Sequence, residues 1–210
     1  MDAAWRNEVS GLTTKEQWDT LYEKKKKVQQ NGRSIWGKND VYKNSALLVD
    51  LLPDILIDLK IKSFVDIGCG DFLWLSKLDW SEITYTGIDI VQGLVDENKK
   101  MYSKFNFECK NLIVDDCPNA DMIFMRSVLI HTSIGDCFKI IDTIKKSGSK
   151  YLCVSSLPQI DKNIDTTCLW LVQRNLEIEP FNFPKPIYLL PEIKKDGINN
   201  YMGIWEIDKL

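Results

Sequence analysis

The stretch Phe64-Val65-Asp66-Ile67-Gly68-Cys69-Gly70-Asp71 decides the fold of this 210-residue chain. Its first half predicts a short apolar strand that carries an acid, and the two glycines that follow predict a tight turn. A strand, a Gly-x-Gly turn and a helix form the arrangement by which α/β proteins bring backbone against a ligand. We therefore expect a helix over residues 71–78, directly after the turn.

Asp66 restricts the ligand that such a turn can hold. A pyrophosphate is an anion that favours neutral or positive neighbours, so this acid would repel a dinucleotide. S-adenosylmethionine carries an ammonium and a sulfonium and no phosphate, and its cationic end suits Asp66. Leu73 stands where Gly-x-Gly-x-x-Gly has its third glycine, which also argues against a dehydrogenase.

Strand and helix patterns alternate through the middle of the chain. This alternation indicates a mostly parallel sheet with helices on both faces. Ligands of such sheets bind beyond the carboxyl ends of the strands. The predicted strands are 63–67, 83–88, 105–109, 121–126 and 150–156, and the predicted helices between them include 92–102 and 134–147.

The N-terminal region has no strand of its own. Thr13-Thr14-Lys15-Glu16 predicts a capping box that begins a helix running to about Gln30. Residues 45–59 are apolar at helical spacing, and we expect Pro53 either to start a second helix or to kink the first.

These motifs, in this order, resemble the class I S-adenosylmethionine-dependent methyltransferases from about residue 45 to residue 205. Asp66, Gly68 and Gly70 match the family's first motif, and Asp89 matches the acid that accepts both ribose hydroxyls. The resemblance implies S-adenosyl-L-methionine as cofactor. It also implies an α/β, Rossmann-like methyltransferase domain at 45–210, with a mostly parallel sheet, an antiparallel edge and a helical N-terminal lid at 1–44.

The resemblance assigns further residues to the cofactor site. Two positions depart from the family pattern: Phe72 replaces the third glycine of the first motif, and Asn111 replaces an acid that reads adenine. An amide both accepts and donates hydrogen bonds, so the second change is chemically mild. The predicted cofactor-binding residues are Asp66, Gly68, Cys69, Gly70, Asp89, Ile90, Asn111, Leu112, Arg126 and, in the lid, Trp36.

The segment Arg126 to His131 matches the stretch that faces the transferable methyl in the family. His131 is the one histidine of the chain, and its ordinary pKa lies near neutrality, so it is the predicted catalytic base. The alternative is a structural histidine that caps the following helix. Arg126 also has two interpretations: an anion-binding side chain in the site, or a salt bridge at the sheet edge.

Composition excludes several functional classes. The net charge is −3 and the pI is about 5.3, which argues against nucleic acid as a partner. The six cysteines form no C-x-x-C pair, so we expect reduced thiols and no zinc. No signal peptide or membrane-length apolar run is present, and we expect a soluble, cytoplasmic protein. The acids Asp115, Asp116 and Asp121 are better explained by a turn than by magnesium, so no metal is predicted.

The acceptor is the least determined part of the prediction. No added substrate domain, basic stripe or Asn-Pro-Pro-Tyr motif is present. We expect O-methylation of a sugar, a glycan or another small hydroxylated molecule. The alternatives are N-methylation of an amine or protein, and a cofactor-binding subunit without catalysis of its own. The sequence leaves the acceptor and the oligomeric state open.

Overall fold

The computed structural model describes residues 8–26, 41–192 and 200–210. The α-helices are α1 (Thr14–Lys26), α2 (Val41–Asp58), α3 (Gln92–Met101) and α4 (Ile134–Lys146). The strands are β1 (Ser63–Ile67), β2 (Thr84–Asp89), β3 (Asn106–Cys109), β4 (Met122–Met125), β5 (Tyr151–Ser156), β6 (Tyr188–Pro191) and β7 (Tyr201–Glu206). Each predicted strand is present within two residues of its expected bounds.

The strands form one seven-stranded sheet in the order β3-β2-β1-β4-β5-β7-β6. β1 to β5 are parallel to one another, whereas β7 runs antiparallel to both β5 and β6. The predicted parallel sheet with an antiparallel edge is therefore confirmed. The strand order reverses between β1 and β4, and the carboxyl ends around such a switch point are where open α/β sheets bind ligands.

Helices cover both faces of the sheet. On one face, Ile140 and Ile144 of α4 pack with Ile123 of β4. On the other, Leu48 and Leu52 of α2 pack with the aromatic side chains of β1 and β2. All four residues of β4 are buried, as expected for a central parallel strand covered on both sides.

Pro53 does not start a second helix. α2 runs unbroken from Val41 to Asp58 with Pro53 inside it. A proline there removes one backbone donor, at a cost of about 3 kcal/mol in an isolated helix. Leu48, Leu52 and Leu56 recur every four residues and are buried, and burying each stabilises the fold by roughly 1.5–3 kcal/mol. Core packing therefore outweighs the proline.

The predicted helix at 71–78 is wrong. Only a 3₁₀ turn at Leu75–Lys77 forms between β1 and β2. Gly70 and Phe72 have positive φ values of 58° and 55°, which an α-helix does not allow. The Phe72 ring lies in an aromatic cluster, 4.4 Å from the Tyr85 ring centroid, and this burial holds the left-handed backbone.

Among residues 8–26, 41–192 and 200–210, every helix is too short or too polar to span a bilayer. The compartment stays a prediction. The predicted end of the first helix near Gln30 and the lid tryptophan Trp36 lie outside the described residues.

Candidate active site

The glycine turn after β1 brings bare backbone to the ligand-binding edge. The amides of Gly68 and Cys69 both donate to the Ile88 carbonyl, at 2.7 and 3.0 Å. Gly68 has a φ of +72°, and a Cβ built there would lie 2.5 Å from Val128 Cγ2. Glycine is thus required at this position for two reasons: the positive φ, and the close approach of the segment after β4.

Asp89 and Asn98 hold the second glycine of the turn from opposite sides. The Gly70 amide donates to Asp89 Oδ2 at 3.1 Å, and Asn98 Nδ2 donates to the Gly70 carbonyl at 2.7 Å. Asn98 lies on α3 and is 2% exposed. The sequence analysis missed it, although its position four residues after Leu94 and three after Val95 places it on the buried face of the helix.

The carboxylate of Asp89 is oriented before any ligand binds. Its second oxygen, Oδ1, accepts from the Val91 amide at 3.0 Å. Burial raises the pKa of Asp89, and the hydrogen bonds from the Val91, Gly70 and Ile90 amides lower it. A carboxylate has about four acceptor positions, so three amide donors leave capacity for a ribose hydroxyl.

Asp66 is a buried acid that titrates near neutrality. It is 2% exposed, and its Oδ2 accepts a hydrogen bond from the Tyr85 hydroxyl at 2.8 Å. Burial raises the pKa of Asp66 to about 7. The Tyr85 hydrogen bond lowers this pKa, the Asp89 charge raises it, and the Arg126 charge lowers it. A cationic ligand group placed near this carboxyl would stabilise its charged form.

Arg126 forms a salt bridge at the sheet edge. Its Nε donates to Glu192 Oε1, and its guanidinium lies 5.3 Å from the Trp74 ring centroid. The Glu192 side chain is only 5% exposed. The salt bridge expected as one alternative is therefore present, and a contact between Arg126 and the cofactor stays a prediction.

The predicted adenine-side residues lie beyond β2 and β3. Leu112 is buried, and Ile90 packs at the edge of a cluster with Tyr22 and Leu94. The Asn111 side chain already accepts from the Ile113 amide at 3.1 Å, so it shapes the turn after β3.

The three acids considered for magnesium do not form one cluster. Asp115 Oδ2 accepts from the Asn111 amide at 2.7 Å, in the turn after β3. Asp121 lies at the opposite end of the sheet, where it accepts from the Ser63 amide at 3.0 Å and pairs with Lys150 at 2.6 Å. Within the described ranges, no three His, Cys, Asp or Glu side chains are grouped to hold a metal ion.

Helix α1 docks beside the ligand-binding edge. The predicted capping box is present: the Thr13 amide donates to Glu16 Oε2 at 2.8 Å. The Tyr22 ring packs on Gly93, where a Cβ would lie 2.8 Å from Tyr22 Cε1. Lys26 pairs with Glu97 of α3 at 2.5 Å. The described part of the N-terminal segment thus packs on α3, which begins three residues after Asp89.

His131 ends a 3₁₀ turn, Leu129–His131, that follows β4. Its ring meets the Trp18 ring of α1 edge-on at 5.7 Å between centroids. His131 Nδ1 is buried and has no hydrogen-bond partner within the part of the chain that the structure describes. Burial lowers the pKa of His131, a hydrogen bond with the Trp170 backbone raises it, and the Lys25 charge lowers it.

His131 does not cap the following helix. The N-cap of α4 is Ser133, whose hydroxyl oxygen accepts from the Asp136 amide at 3.1 Å. The capping role considered for this histidine is therefore absent, and its role as a base stays a prediction. Val128, three residues earlier, touches the glycine turn at Gly68, so the histidine turn and the glycine turn are neighbours.

Comparison with known structures places the fold. Magnesium protoporphyrin IX methyltransferase from Synechocystis PCC 6803, with bound S-adenosylmethionine, superposes with a TM-score of 0.63 at 15% identity, over 93% of this chain and 97% of that one. The N-methyltransferase NodS from Bradyrhizobium japonicum WM9, in complex with S-adenosylhomocysteine, gives 0.63 at 14% identity, over 90% and 98%.

Human N-acetylserotonin methyltransferase, in complex with S-adenosylmethionine, gives a TM-score of 0.59 at 17% identity, over 95% of this chain and 61% of that one. No family model matches the sequence, and a search of curated proteins finds no match. The chain therefore has the Rossmann-like fold of class I methyltransferases, established by structure at low sequence identity.

Proposed function

We propose that the chain is an S-adenosylmethionine-dependent methyltransferase that methylates a hydroxyl group of a small acceptor, with His131 as general base. The observation that carries the proposal is the placement of His131. The turn that ends in this imidazole packs, through Val128, against the glycine turn at Gly68. A buried imidazole nitrogen without a hydrogen-bond partner in the described residues is available to accept a proton.

The residues around the glycine turn fit the cofactor. Asp89 presents a pre-oriented carboxylate to ribose hydroxyls, and the bare backbone of Gly68 and Gly70 allows close approach. Asp66 supplies a buried acid for a cationic ligand end, and Ile90 and Leu112 supply apolar surface for adenine. When bound, S-adenosylmethionine supplies an activated methyl group on a sulfonium. The cofactor likewise accompanies two of the solved structures with this fold.

The chain then has two tasks in the reaction: to orient the acceptor and to take up a proton. Transfer would form the bond from the acceptor oxygen to the methyl carbon and break the bond from that carbon to sulfur, whose electron pair would stay on sulfur. His131 accepts the hydroxyl proton. Because burial lowers the pKa of His131, the imidazole is neutral and able to act as a base at pH 7.

The proposed base role of His131 also decides which class of acceptor is preferred. A hydroxyl is a poor nucleophile until its proton leaves, so it needs the base that this site provides. A neutral amine needs little more than desolvation, and a carboxylate needs no base. We therefore place sugars, glycans and other small hydroxylated molecules ahead of amines, although the similar folds include an N-methyltransferase.

Two measurements test the proposal. Calorimetry should show binding of S-adenosylhomocysteine and no binding of NAD; the opposite result overturns the cofactor assignment. A cofactor-turnover assay over hydroxylated and amine acceptors should give activity with a hydroxylated one, and His131→Ala should lower kcat by about 10²–10⁴-fold at unchanged cofactor affinity. Near-normal kcat in that variant would shift the assignment to an amine or carboxylate acceptor. Cofactor binding without turnover on any acceptor would favour a non-catalytic subunit.

A further inference from the structure

The turn that carries His131 is held by a buried arginine. Arg174 is 0% exposed, and its Nη2 donates to the Thr132 carbonyl at 2.7 Å. Its Nε donates to the Leu129 carbonyl at 3.4 Å, and its Nη1 donates to the Ile164 carbonyl. Two of these three carbonyls flank His131 in sequence, one on each side.

An arginine suits this position for a physical reason. A buried charge is costly unless its donors are hydrogen-bonded, and the three carbonyls satisfy that condition. The guanidinium is planar and presents its donors as a rigid fork, so a single side chain can span carbonyls from two segments. A lysine ammonium is a compact charge and cannot hold all three in the same geometry. The arrangement at Arg174 therefore depends on shape as well as charge.

The segment that contains Arg174 makes further contacts with the same turn. The Val172 amide donates to the Ile130 carbonyl at 2.8 Å. Asp165 Oδ1 accepts from the Ile134 amide at 2.7 Å. Trp170, from this segment, hydrogen-bonds His131 through its backbone. Residues 164–174 thus run along the histidine turn, with Arg174 as the buried link between them.

We propose that Arg174 is a positioning residue for His131: its guanidinium fixes the two carbonyls that flank the histidine and so fixes the imidazole at the ligand-binding edge. The kinetic part of this inference rests on the proposed base role of His131. The geometric part does not, because the position and protonation of an imidazole are measurable without turnover.

Several charged groups face the turn that carries His131, and the pKa of this imidazole should change when Arg174 is lost. The Lys25 charge of α1 lowers the pKa of His131, and the Arg174 charge lowers the pKa of Asp165. The charges of Asp136 in α4 and of Asp165 raise the pKa of Cys137, whose thiol donates to the Leu129 carbonyl. Loss of Arg174 removes the donors from the two carbonyls that flank His131 and so loosens the packing that buries its ring. Burial is the largest cause that lowers the pKa of His131, so this pKa should rise when the ring is less buried.

The experiment uses the single histidine of the chain. One imidazole gives one set of ring resonances, so an NMR titration reports His131 without assignment ambiguity. Arg174→Met should raise the pKa of His131 toward the ordinary 6.5, and Arg174→Lys should raise it less because an ammonium can still donate to one of the two carbonyls. Lys150→Met is the matched control, since Lys150 pairs with Asp121 at the opposite end of the sheet. The control should leave the histidine titration unchanged.

Activity gives the second readout. In Arg174→Met, kcat should fall about 10- to 100-fold, as expected for a misplaced catalytic group, while cofactor affinity changes less than about two-fold. A folded Arg174→Met or Arg174→Lys protein with wild-type histidine titration and kcat overturns the proposal, and reduced stability alone does not support it. If the histidine titration shifts but wild type has no methyl-transfer activity, positioning stands and the proposed function fails.

A measurement on the unsubstituted protein covers the case in which both variants fail to fold. The guanidinium protons of Arg174 should exchange with solvent far more slowly than those of an exposed arginine. Exchange as fast as in a solvated arginine would overturn the proposal.

Discussion

Asn98 Nδ2 donates to the Gly70 carbonyl at 2.7 Å, and this bond joins helix α3 to the glycine turn. The same turn is held on its other side by Asp89 through the Gly70 amide. A buried amide thus orients the backbone of the glycine turn, from a position 28 residues away in sequence. The turn is rigid because both polar groups of Gly70 are satisfied by side chains.

Asn98→Leu should weaken both the fold and cofactor binding. The substitution leaves the Gly70 carbonyl without its donor, at a cost of about 1–3 kcal/mol in the free energy of unfolding. Denaturant unfolding and calorimetry with S-adenosylhomocysteine measure the two effects. Asn119→Leu is the matched control, because Asn119 Nδ2 donates to the Ser147 carbonyl at 3.0 Å in a solvent-exposed bond. Equal losses of cofactor affinity in both variants would contradict the assigned role.

Gly68→Ala should destabilise the protein by about 1–3 kcal/mol and weaken cofactor binding. The added Cβ would lie 2.5 Å from Val128 Cγ2, at a backbone φ of +72°. Adding Val128→Ala to Gly68→Ala should recover the share of the lost stability that the clash causes. The share caused by the positive φ should remain. Gly135→Ala serves as the control, since nothing lies within 4 Å of its added Cβ, and it should be neutral or stabilising. Thermal unfolding of the four proteins checks this; a stable Gly68→Ala protein would refute the tight-turn argument.

Asp66 should make stability fall as pH rises toward and through about 7. Its pKa in the folded protein is raised to about 7 from 3.8, so the folded state holds a proton that the unfolded chain has lost. The stabilising contribution is complete below pH 3.8 and is lost as pH rises through the folded pKa. Asp66→Asn keeps an oxygen for the Tyr85 hydroxyl and should flatten this part of the stability profile. An unchanged slope in denaturant unfolding between pH 4 and 8 would show that Asp66 titrates normally.

Cofactor binding should release protons near pH 7. A cationic ligand end near Asp66 lowers the pKa of this carboxyl, so a group that is partly protonated in the free protein becomes charged in the complex. Calorimetry of S-adenosylmethionine in buffers of different ionisation enthalpy measures the number of protons released. Asp66→Asn should abolish most of the release. Binding enthalpies that do not depend on the buffer in wild type would place the cationic end elsewhere.

The rate should rise with pH along a limb centred below 6.5. The pKa of His131 is lowered from 6.5 by burial, and only the neutral imidazole accepts a proton. The profile of kcat against pH checks this, with His131→Gln as the variant that keeps shape but cannot act as a base. A limb above 6.5, or one that persists in His131→Gln, would assign proton removal to another group.

The sequence by itself determined the strands, their alternation with helices and the acids at their ends. These are local patterns: an apolar run predicts β1, a glycine pair predicts the turn after it, and Asp89 ends the next strand. Thr13 and Glu16 predicted the start of α1 because a capping box needs only four neighbouring residues.

Only the tertiary structure decided the conformation after the glycine turn. Phe72 does not adopt a helical backbone conformation because its ring packs against Tyr85 and the other aromatic side chains of the cluster, which are distant in sequence. Pro53 stayed inside one helix because the buried leucines of α2 outweighed it. In both cases the burial of side chains against distant partners exceeded a local backbone preference, and that balance is not visible in a single stretch of sequence.

The same physical reason explains why only some residues of the candidate site could be predicted from the sequence. The place of His131 in the turn after β4 was predictable from the sequence, but its relation to Arg174 was not. Arg174 donates to the carbonyl of Thr132, 42 residues earlier in the chain. Every residue has a backbone carbonyl, so the residue type at position 132 does not indicate this contact. Side chains that recognise backbone become apparent only when the chain is folded, since any residue supplies the same acceptor.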